Sequence, residues 1–168
     1  MNLPRLFAGS GKVLLLAACL AAAGCAGSKP VAWNTKITRT TTASIEVDLV
    51  GISPSEDAYW RRSVKPTKYW MPGDPVRKQV LSRAKTTQFK DGDVFVLKAD
   101  DPVWKQWLNY GATELLIMAN LPGRFTDDES DPRRLILPLG SKSWDAKNKT
   151  IEIQILDGQI RPVTPQKM

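Results

Sequence analysis

Alternating hydrophobicity near the C-terminus constrains the fold of this chain more than any other feature. In residues 151–155 isoleucine occupies every second position and the residues between are polar, which is typical of a strand with one buried face. Asp157-Gly158 follows and favours a tight hairpin turn, because both residues tolerate positive φ. Residues 159–163 are predicted to form the returning strand. The end of the chain is therefore predicted to be antiparallel β-structure.

The rest of the chain extends this pattern to a mainly β fold. Further strands are predicted at residues 45–49, 94–97, 114–120 and 134–139. Two Asp-Pro pairs, beginning at Asp74 and Asp101, predict helix starts. Trp104 and Trp107 share one face of the second helix and are predicted to be core residues. Residues 45–168 are therefore predicted to form a single β-sandwich domain with two or three short helical insertions.

Residues 1–24 are predicted to be an export signal. Arg5 and Lys12 supply positive charge, an apolar run covers residues 13–23, and small residues precede Cys25. This run is shorter than the roughly 20 residues that cross a bilayer as a helix. Residues 22–25, Ala-Ala-Gly-Cys, resemble the lipobox of bacterial lipoproteins. The resemblance implies that Cys25 is acylated, for example with palmitate, and becomes the first residue of the mature protein.

Two alternatives remain open for this segment. Cys25 also fits a small residue beside an ordinary cleavage site, and residues 16–19, Leu-Ala-Ala-Cys, match the lipobox after a shorter apolar run. If cleavage precedes Cys25, the mature protein keeps only this cysteine. Acylation then accounts for it, because a single free thiol is a liability in an oxidising compartment. Residues 25–44, rich in serine and threonine, are predicted to be a flexible tether behind Cys25. By resemblance to Gram-negative lipoproteins, Ala26 favours the outer membrane.

The absence of histidine excludes much of the usual catalytic and metal chemistry. Histidine is the commonest general base and metal ligand, and two cysteines are too few for a zinc or iron–sulfur site. Ser82 and Lys85 have Ser-x-x-Lys spacing, but a solvated basic helix face explains them more simply. The carboxylate pairs at residues 91 and 93 and at residues 100 and 101 are explained as turn and cap residues. We therefore predict no enzyme activity, no cofactor and no metal centre.

An acidic loop leaves one question open. Asp127, Asp128, Glu129 and Asp131 lie between two predicted strands, beside several arginines. Their oxygens suit calcium, although EF-hand spacing is absent. The other interpretation is an exposed acidic loop neutralised by the arginines. Convergence of two carboxylates in one cleft would support a hydrolase, which is a remote alternative.

Aromatic and basic side chains interleave in residues 60–70. Trp60, Arg61, Arg62, Tyr69 and Trp70 are predicted to bind a partner, because Trp, Tyr and Arg dominate interface hot spots. Two other interpretations are stacking on sugars and a structural role as half-buried caps on the sandwich. With 24 Lys+Arg against 17 Asp+Glu, the net charge of +7 suits anionic polymers or an acidic protein face, or serves solubility. The export signal argues against nucleic acid as a partner.

The order of these features resembles the small outer-membrane lipoprotein of the type VI secretion membrane complex. The matching parts are Cys25, the strand from Ile45, residues 111–119 (Gly-Ala-Thr-Glu-Leu-Leu-Ile-Met-Ala), residues 134–137 (Arg-Leu-Ile-Leu) and the Asp157-Gly158 hairpin. The resemblance implies a transthyretin-like β-sandwich on a lipidated tether. It also implies a protein that is not an enzyme and docks on the periplasmic part of a large inner-membrane partner.

The leading hypothesis is a lipid-anchored docking or assembly subunit of an envelope complex, with type VI secretion as the first candidate. The alternative is a peptidoglycan- or glycan-binding lipoprotein that uses Trp60, Trp70, Arg61 and Arg62. Both hypotheses place the chain on the outer membrane through its N-terminal lipid, facing the periplasm.

Overall fold

The structure is a computed structural model that describes residues 28–40, 43–90 and 92–167. The predicted signal peptide, Cys25 and Asp91 lie outside the described residues. Within the described ranges, none of the helices has the length and hydrophobicity needed to cross a membrane.

The described residues form eight strands and four short α-helices. The strands are β1 (Asn34–Arg39), β2 (Ile45–Ile52), β3 (Lys85–Phe89), β4 (Val94–Leu97), β5 (Glu114–Ala119), β6 (Arg134–Pro138), β7 (Thr150–Ile155) and β8 (Ile160–Pro162). The helices are α1 (Pro54–Ala58), α2 (Pro66–Tyr69), α3 (Pro75–Leu81) and α4 (Pro102–Asn109), with a π-helical turn at Tyr59–Ser63 and a 3₁₀ turn at Lys147–Lys149. The side chains of Asp74 and Asp101 accept hydrogen bonds from the first turns of α3 and α4, as the Asp-Pro pairs predict.

Two four-stranded sheets pack as a β-sandwich, which confirms the predicted fold class. Sheet I has the strand order β4-β1-β7-β8, and sheet II has the order β3-β2-β5-β6. Sheet II is antiparallel throughout, whereas β1 and β7 of sheet I run parallel. The hairpin predicted at Asp157-Gly158 joins β7 to β8. Trp104 and Trp107 are buried in the core, as predicted.

Sheet II is buried on both of its faces. Its inner face meets sheet I in the main core, where Leu49 and Leu115 pack in one cluster with Ile37 and Ile153. Its outer face is covered by residues 53–84, which hold α1, the π-helical turn, α2 and α3. We call these residues the helical layer. A second apolar cluster joins the two, made of Val50, Ile52, Leu116 and Met118 from the sheet and Trp60, Val64, Tyr69 and Val80 from the layer.

The structure differs from the sequence expectation at two strands. Residues 25–44 are predicted to be a tether, but β1 lies within them, pairs with β4 and β7, and buries Ile37 completely. Strand β3 is likewise absent from the prediction. Ile37 and Phe89 are the only large apolar residues of these two strands, so no alternation is visible. Pairing with neighbouring strands, rather than their own pattern, makes them strands.

The two ends of the sandwich are formed by different segments of the chain. At one end the first described residues run beside the segment after β6, where the Val31 amide donates to the Leu139 carbonyl at 2.9 Å. At the other end lies the connection from β5 to β6, which contains the acidic loop. There the Ile160 amide donates to the Pro132 carbonyl at 2.9 Å, which ties the loop to sheet I. The chain therefore enters the domain at the end opposite the acidic loop.

Candidate docking surface

The helical layer places two of the predicted partner-binding aromatics inside the domain. Trp60 and Tyr69 are 2% and 1% exposed. Edge-to-face ring contacts run from Tyr59 through Trp60 and Tyr69 to Trp70, with centroids 5.7, 6.2 and 5.2 Å apart. Trp60 and Tyr69 therefore hold the layer on sheet II and present almost no surface to a partner. The interpretation of these aromatics as structural caps fits better than an exposed aromatic face.

The other three predicted residues are accessible to different degrees. Trp70 is half-buried, and the guanidinium carbon of Arg77 lies 4.3 Å from its ring centroid, a cation–π contact. Arg61 forms ion pairs with Asp57 and Glu114. Arg62 has a 73% exposed side chain, and its ion pair with Glu129 is at the surface. Arg62 is thus the most accessible of the five, and a partner-binding role for these three residues remains a prediction.

A buried carboxylate fastens the helical layer to sheet II. Asp48, in the middle of β2, is 0% exposed. It accepts hydrogen bonds from Tyr69 Oη at 2.9 Å, Arg77 Nε at 2.9 Å and Thr86 Oγ1 at 2.6 Å. Donors from α2, α3 and β3 therefore compensate the buried charge. Burial and the adjacent charge of Asp48 raise the pKa of Tyr69, which keeps its hydroxyl a neutral donor.

Asp48 is the structural anchor that the sequence analysis misses. Ile45, Val47 and Leu49 alternate with other residues, which is typical of a half-buried strand with Asp48 on its open face, whereas the structure buries Asp48 completely. The available signal is the run Val-Asp-Leu-Val-Gly-Ile at residues 47–52, in which Asp48 is the one polar side chain. A strand with apolar residues at both its odd and its even positions is typically covered on both faces. An acid within such a strand then needs buried partners.

Arg133 joins the helical layer to the acidic loop. This arginine is 5% exposed and forms ion pairs with Asp131 and Asp127, each at 2.7 Å. The same guanidinium donates to Thr67 Oγ1 at 2.9 Å, and the Thr67 amide donates to Asp127 Oδ1 at 2.7 Å. The loop and the layer are therefore fixed to each other at Thr67, in α2.

Arg134 makes a second connection between the same two segments. It is 8% exposed and donates from Nη1 to the carbonyls of Trp60 at 2.7 Å and Val64 at 2.9 Å. It also donates to the carbonyl of Asp128. These carbonyls lie at the π-helical turn and in the acidic loop, so two regions that the sequence analysis treats separately form one structural unit.

The acidic loop is held by protein donors. Burial opposes ionisation of Asp131, but hydrogen bonds from Arg133 and its charge outweigh burial and lower the pKa of Asp131. Hydrogen bonds from Ser130 and Thr126 lower the pKa of Asp128. Among the residues that the structure describes, no group of three or more His, Cys, Asp or Glu side chains is placed to hold a metal ion. This arrangement favours the arginine-neutralised loop over a calcium site.

The other candidate catalytic residues are occupied by structural contacts. Ser82 Oγ donates to the Gln79 carbonyl at 3.0 Å, and Lys85 Nζ pairs with Asp101 at 3.0 Å. Ser82 and Lys85 therefore have separate partners and do not form a dyad. Asp93 accepts a hydrogen bond from the Lys90 amide at 2.6 Å, which is a turn role, as predicted.

Fold and site together define a class of protein: a two-sheet β-sandwich with a helical layer inserted between two strands of one sheet. No family model matches the sequence, and comparison with curated proteins finds no match. Solved structures do match.

The matching structures come from the type VI secretion system. A chain of a type VI membrane complex matches with a TM-score of 0.52 and 11% identity, over 81% of this chain and 98% of that chain. A chain of the TssM C-terminal domain structure from EAEC matches with a TM-score of 0.51 and 10% identity, over 78% of this chain and 99% of that chain. The lipoprotein TssJ1 from Pseudomonas aeruginosa matches with a TM-score of 0.44 and 12% identity, over 83% and 99%. The two matches with TM-scores above 0.5 confirm, at the level of fold, the resemblance inferred from the sequence.

Proposed function

We propose that this chain is a lipid-anchored docking subunit of a type VI secretion envelope complex. It is acylated at Cys25 and held on the outer membrane, facing the periplasm. The observation that carries the proposal is the fold, which two chains from type VI structures share over 78% and 81% of this sequence with TM-scores above 0.5. The lipobox-like residues 22–25 supply the anchor.

A binding role fits the geometry better than catalysis. Three of the polar side chains considered for catalysis have structural partners: Asp101 caps α4, Ser82 bonds to the backbone, and Asp131 pairs with Arg133. The matching structures are named as secretion-system components. We therefore infer that the chain acts by binding a protein of the envelope, with an inner-membrane secretion subunit as the expected partner.

The glycan-binding alternative has less support. Stacking on sugars requires an open aromatic face, whereas Trp60 is 2% exposed and Trp70 has the guanidinium of Arg77 over its ring. Of the four residues that the alternative uses, Arg62 has the most exposed side chain, and one arginine does not provide a stacking platform.

The direction of the tether is consistent with docking. The first described residues enter the sandwich at the end opposite the acidic loop. A lipid on Cys25 therefore belongs to the membrane side of the domain. The acidic loop and the nearby part of the helical layer then point away from the membrane, toward a partner that reaches up from the inner membrane.

The test is a pair of matched cysteine variants of the full chain, made in its own bacterium. Wild type and Cys19→Ser are expected to incorporate labelled palmitate, to sediment with outer membrane, and to co-purify with a type VI inner-membrane subunit after mild cross-linking. Cys25→Ser is expected to lose the label and the membrane association, because serine lacks the thiol that would take the acyl chain at the proposed site. Label retained by Cys25→Ser would refute the anchor. Failure of wild type to recover any secretion subunit would refute the docking function.

A further inference from the structure

The helical layer carries an open groove with a mixed lining, in which the polar side chains of Glu56, Gln79, Ser82 and Arg83 lie beside apolar and aromatic ones. The groove has a volume of about 360 Å³, and its lining includes Tyr59, Trp60, Val76, Val80 and Tyr110. Trp60 and Val80 are buried and form its floor, whereas Tyr59 and Tyr110 are 45% and 67% exposed and form its rim. The two tyrosine rings are therefore accessible to a partner, although the sequence analysis named neither as a binding residue.

A smaller pocket continues the groove at one end. It has a volume of about 180 Å³ and shares Tyr59 and Val76 with the larger groove. Its lining adds Lys65 and Lys68, both of which are exposed. The combined groove thus has an apolar part between two tyrosines and a cationic part beside α2.

Exposed large apolar side chains occur in the helical layer and at the border of the groove. Three of the large apolar residues that are exposed in the described part of the chain, Tyr59, Met71 and Leu81, belong to the helical layer, and Tyr110 borders the same groove. Aromatic residues and methionine are enriched at protein interfaces. By contrast, the exposed apolar residues of sheet I are valines in or beside β4 and β8, where strand preference explains them.

Basic residues outnumber acidic residues in the helical layer. Residues 53–84 contain seven Lys and Arg against three acids. Each acid has a local role: Glu56 pairs with Arg83, Asp57 pairs with Arg61, and Asp74 caps α3. The four arginines of the layer are likewise paired with acids, and Lys65 Nζ donates to the Asp127 carbonyl at 3.0 Å. The charge that the layer offers to a partner is therefore that of its exposed lysines.

We propose that this groove docks an amphipathic, acidic segment of a protein partner. The large apolar side chains of this partner segment lie between Tyr59 and Tyr110, and the Asp or Glu side chains of the segment pair with Lys65 and Lys68. This inference rests on the proposed docking function and specifies the surface and the partner's chemistry. A groove with an apolar floor and charge at one end is a common way to bind an amphipathic segment, and the lysines reject basic segments.

The test is site-specific photo-cross-linking of the full chain in its own bacterium. Benzoylphenylalanine replaces Tyr59 or Tyr110, and a matched control places it at Val163, which is 51% exposed on the other sheet. We expect Tyr59 and Tyr110 to cross-link one protein segment that combines large apolar residues with Asp or Glu, and Val163 not to cross-link it. Cross-links to phospholipid or peptidoglycan, to a basic segment, or to nothing would each overturn the inference.

Charge reversal separates docking in the groove from chance proximity. In Lys65→Glu/Lys68→Glu the Tyr110 cross-link is expected to fall about tenfold, because two repulsive contacts replace two attractive ones. The matched variant Lys147→Glu/Lys149→Glu, which reverses two exposed lysines elsewhere, is expected to keep the wild-type yield. An equal yield in both variants would overturn the role of the lysines.

The two proposals fail in distinguishable ways. If the chain recovers a type VI inner-membrane subunit but cross-links it through Val163, the docking function stands and the groove is wrong. If the groove captures an acidic amphipathic segment of a protein outside the secretion system, the groove stands and the proposed function is wrong.

Discussion

Sheets I and II have the same number of strands but differ in what lies on their outer faces. The outer face of sheet II is covered by the helical layer and holds the buried Asp48–Arg77 ion pair at 2.9 Å. The outer face of sheet I has no such layer within the described residues, and its Lys36–Glu152 ion pair has side chains 40% and 49% exposed. The same kind of pair is therefore a buried anchor on one sheet and a surface contact on the other.

This difference between the outer faces explains two different residue patterns in the strands. Strands covered on one face alternate apolar and polar residues, and β7 of sheet I shows this pattern with isoleucine at every second position. Strands covered on both faces read as continuous apolar runs, and β5 of sheet II shows this pattern with five buried residues in succession. The helical layer, which is inserted between β2 and β3, thus accounts for the difference between the two patterns. It also forms the groove and carries the lysines beside it.

The largest expected effect comes from removing the buried anchor. Asp48→Ala leaves Arg77 and the Tyr69 hydroxyl without their shared acceptor. Breaking one partner of a buried ion pair costs about 3–5 kcal/mol. We expect the free energy of unfolding, measured by urea denaturation of the full chain, to fall by this amount.

The matched variant on sheet I is Glu152→Ala. It breaks the exposed pair with Lys36, so we expect a loss below about 1 kcal/mol. Equal losses in the two variants would contradict the difference between the sheets.

The sequence predicts the parts of the fold whose signals are local. The Asp-Gly hairpin, the Asp-Pro helix starts and the apolar run of β5 are each encoded by a few neighbouring residues. Strand β1 is not, because Ile37 is its only large apolar residue and its pairing with β7 joins residues far apart in sequence. The burial of Trp60 and Tyr69 is also not visible locally, since it depends on the layer folding back onto sheet II. Patterns within a strand cannot show which loop will cover it.

The next largest effect tests how closely α4 approaches sheet II. Gly51 lies in β2, and a Cβ at this position would be 2.4 Å from the Cβ of Trp107. Gly51→Ala therefore forces the tryptophan or the strand to move, which we expect to cost about 3 kcal/mol. In the hairpin of sheet I, a Cβ at Gly158 meets nothing within 4 Å, so Gly158→Ala is the matched control. Thermal unfolding of both variants checks the prediction, and a stable Gly51→Ala protein would refute the close contact.

A smaller effect is expected at the connection that joins the helical layer to the acidic loop. Asp131→Asn weakens the hydrogen bonds to Arg133 and is expected to lower stability at pH 7 by about 1.5 kcal/mol. Because the pKa of Asp131 is lowered in the folded state, the ionised carboxylate stabilises the fold above its unfolded pKa of about 3.9, and this stabilisation is lost as pH falls through the folded value.

Thermal unfolding between pH 7 and pH 2 tests this sign. Wild type should lose more stability than Asp131→Asn below about pH 4. The control is Asp157→Asn in the exposed hairpin of sheet I, which should follow the wild-type curve. Parallel curves for wild type and Asp131→Asn would show that Asp131 does not contribute through its charge.

The smallest expected effect is a gain in stability, and it concerns the outer face of sheet II. Burial and the carboxylate of Asp57 raise the pKa of Glu114, at the start of β5, although Arg61 contacts both acids. A raised folded pKa means that stability is greatest below the unfolded pKa of about 4.3 and declines as pH rises through the folded value. Glu114→Gln removes this decline and keeps an acceptor for Arg61, so we expect a gain below about 1 kcal/mol at pH 7.

Glu152→Gln on sheet I provides the comparison, because Glu152 is exposed and paired with Lys36, so its replacement should bring no gain. Unfolding of both variants at pH 4 and pH 7 measures the difference. A loss of stability in Glu114→Gln at pH 7 would mean that the Arg61 ion pairs outweigh the repulsion between the two acids. The charged contacts under the layer would then all act as anchors, which would increase the contrast between the two sheets.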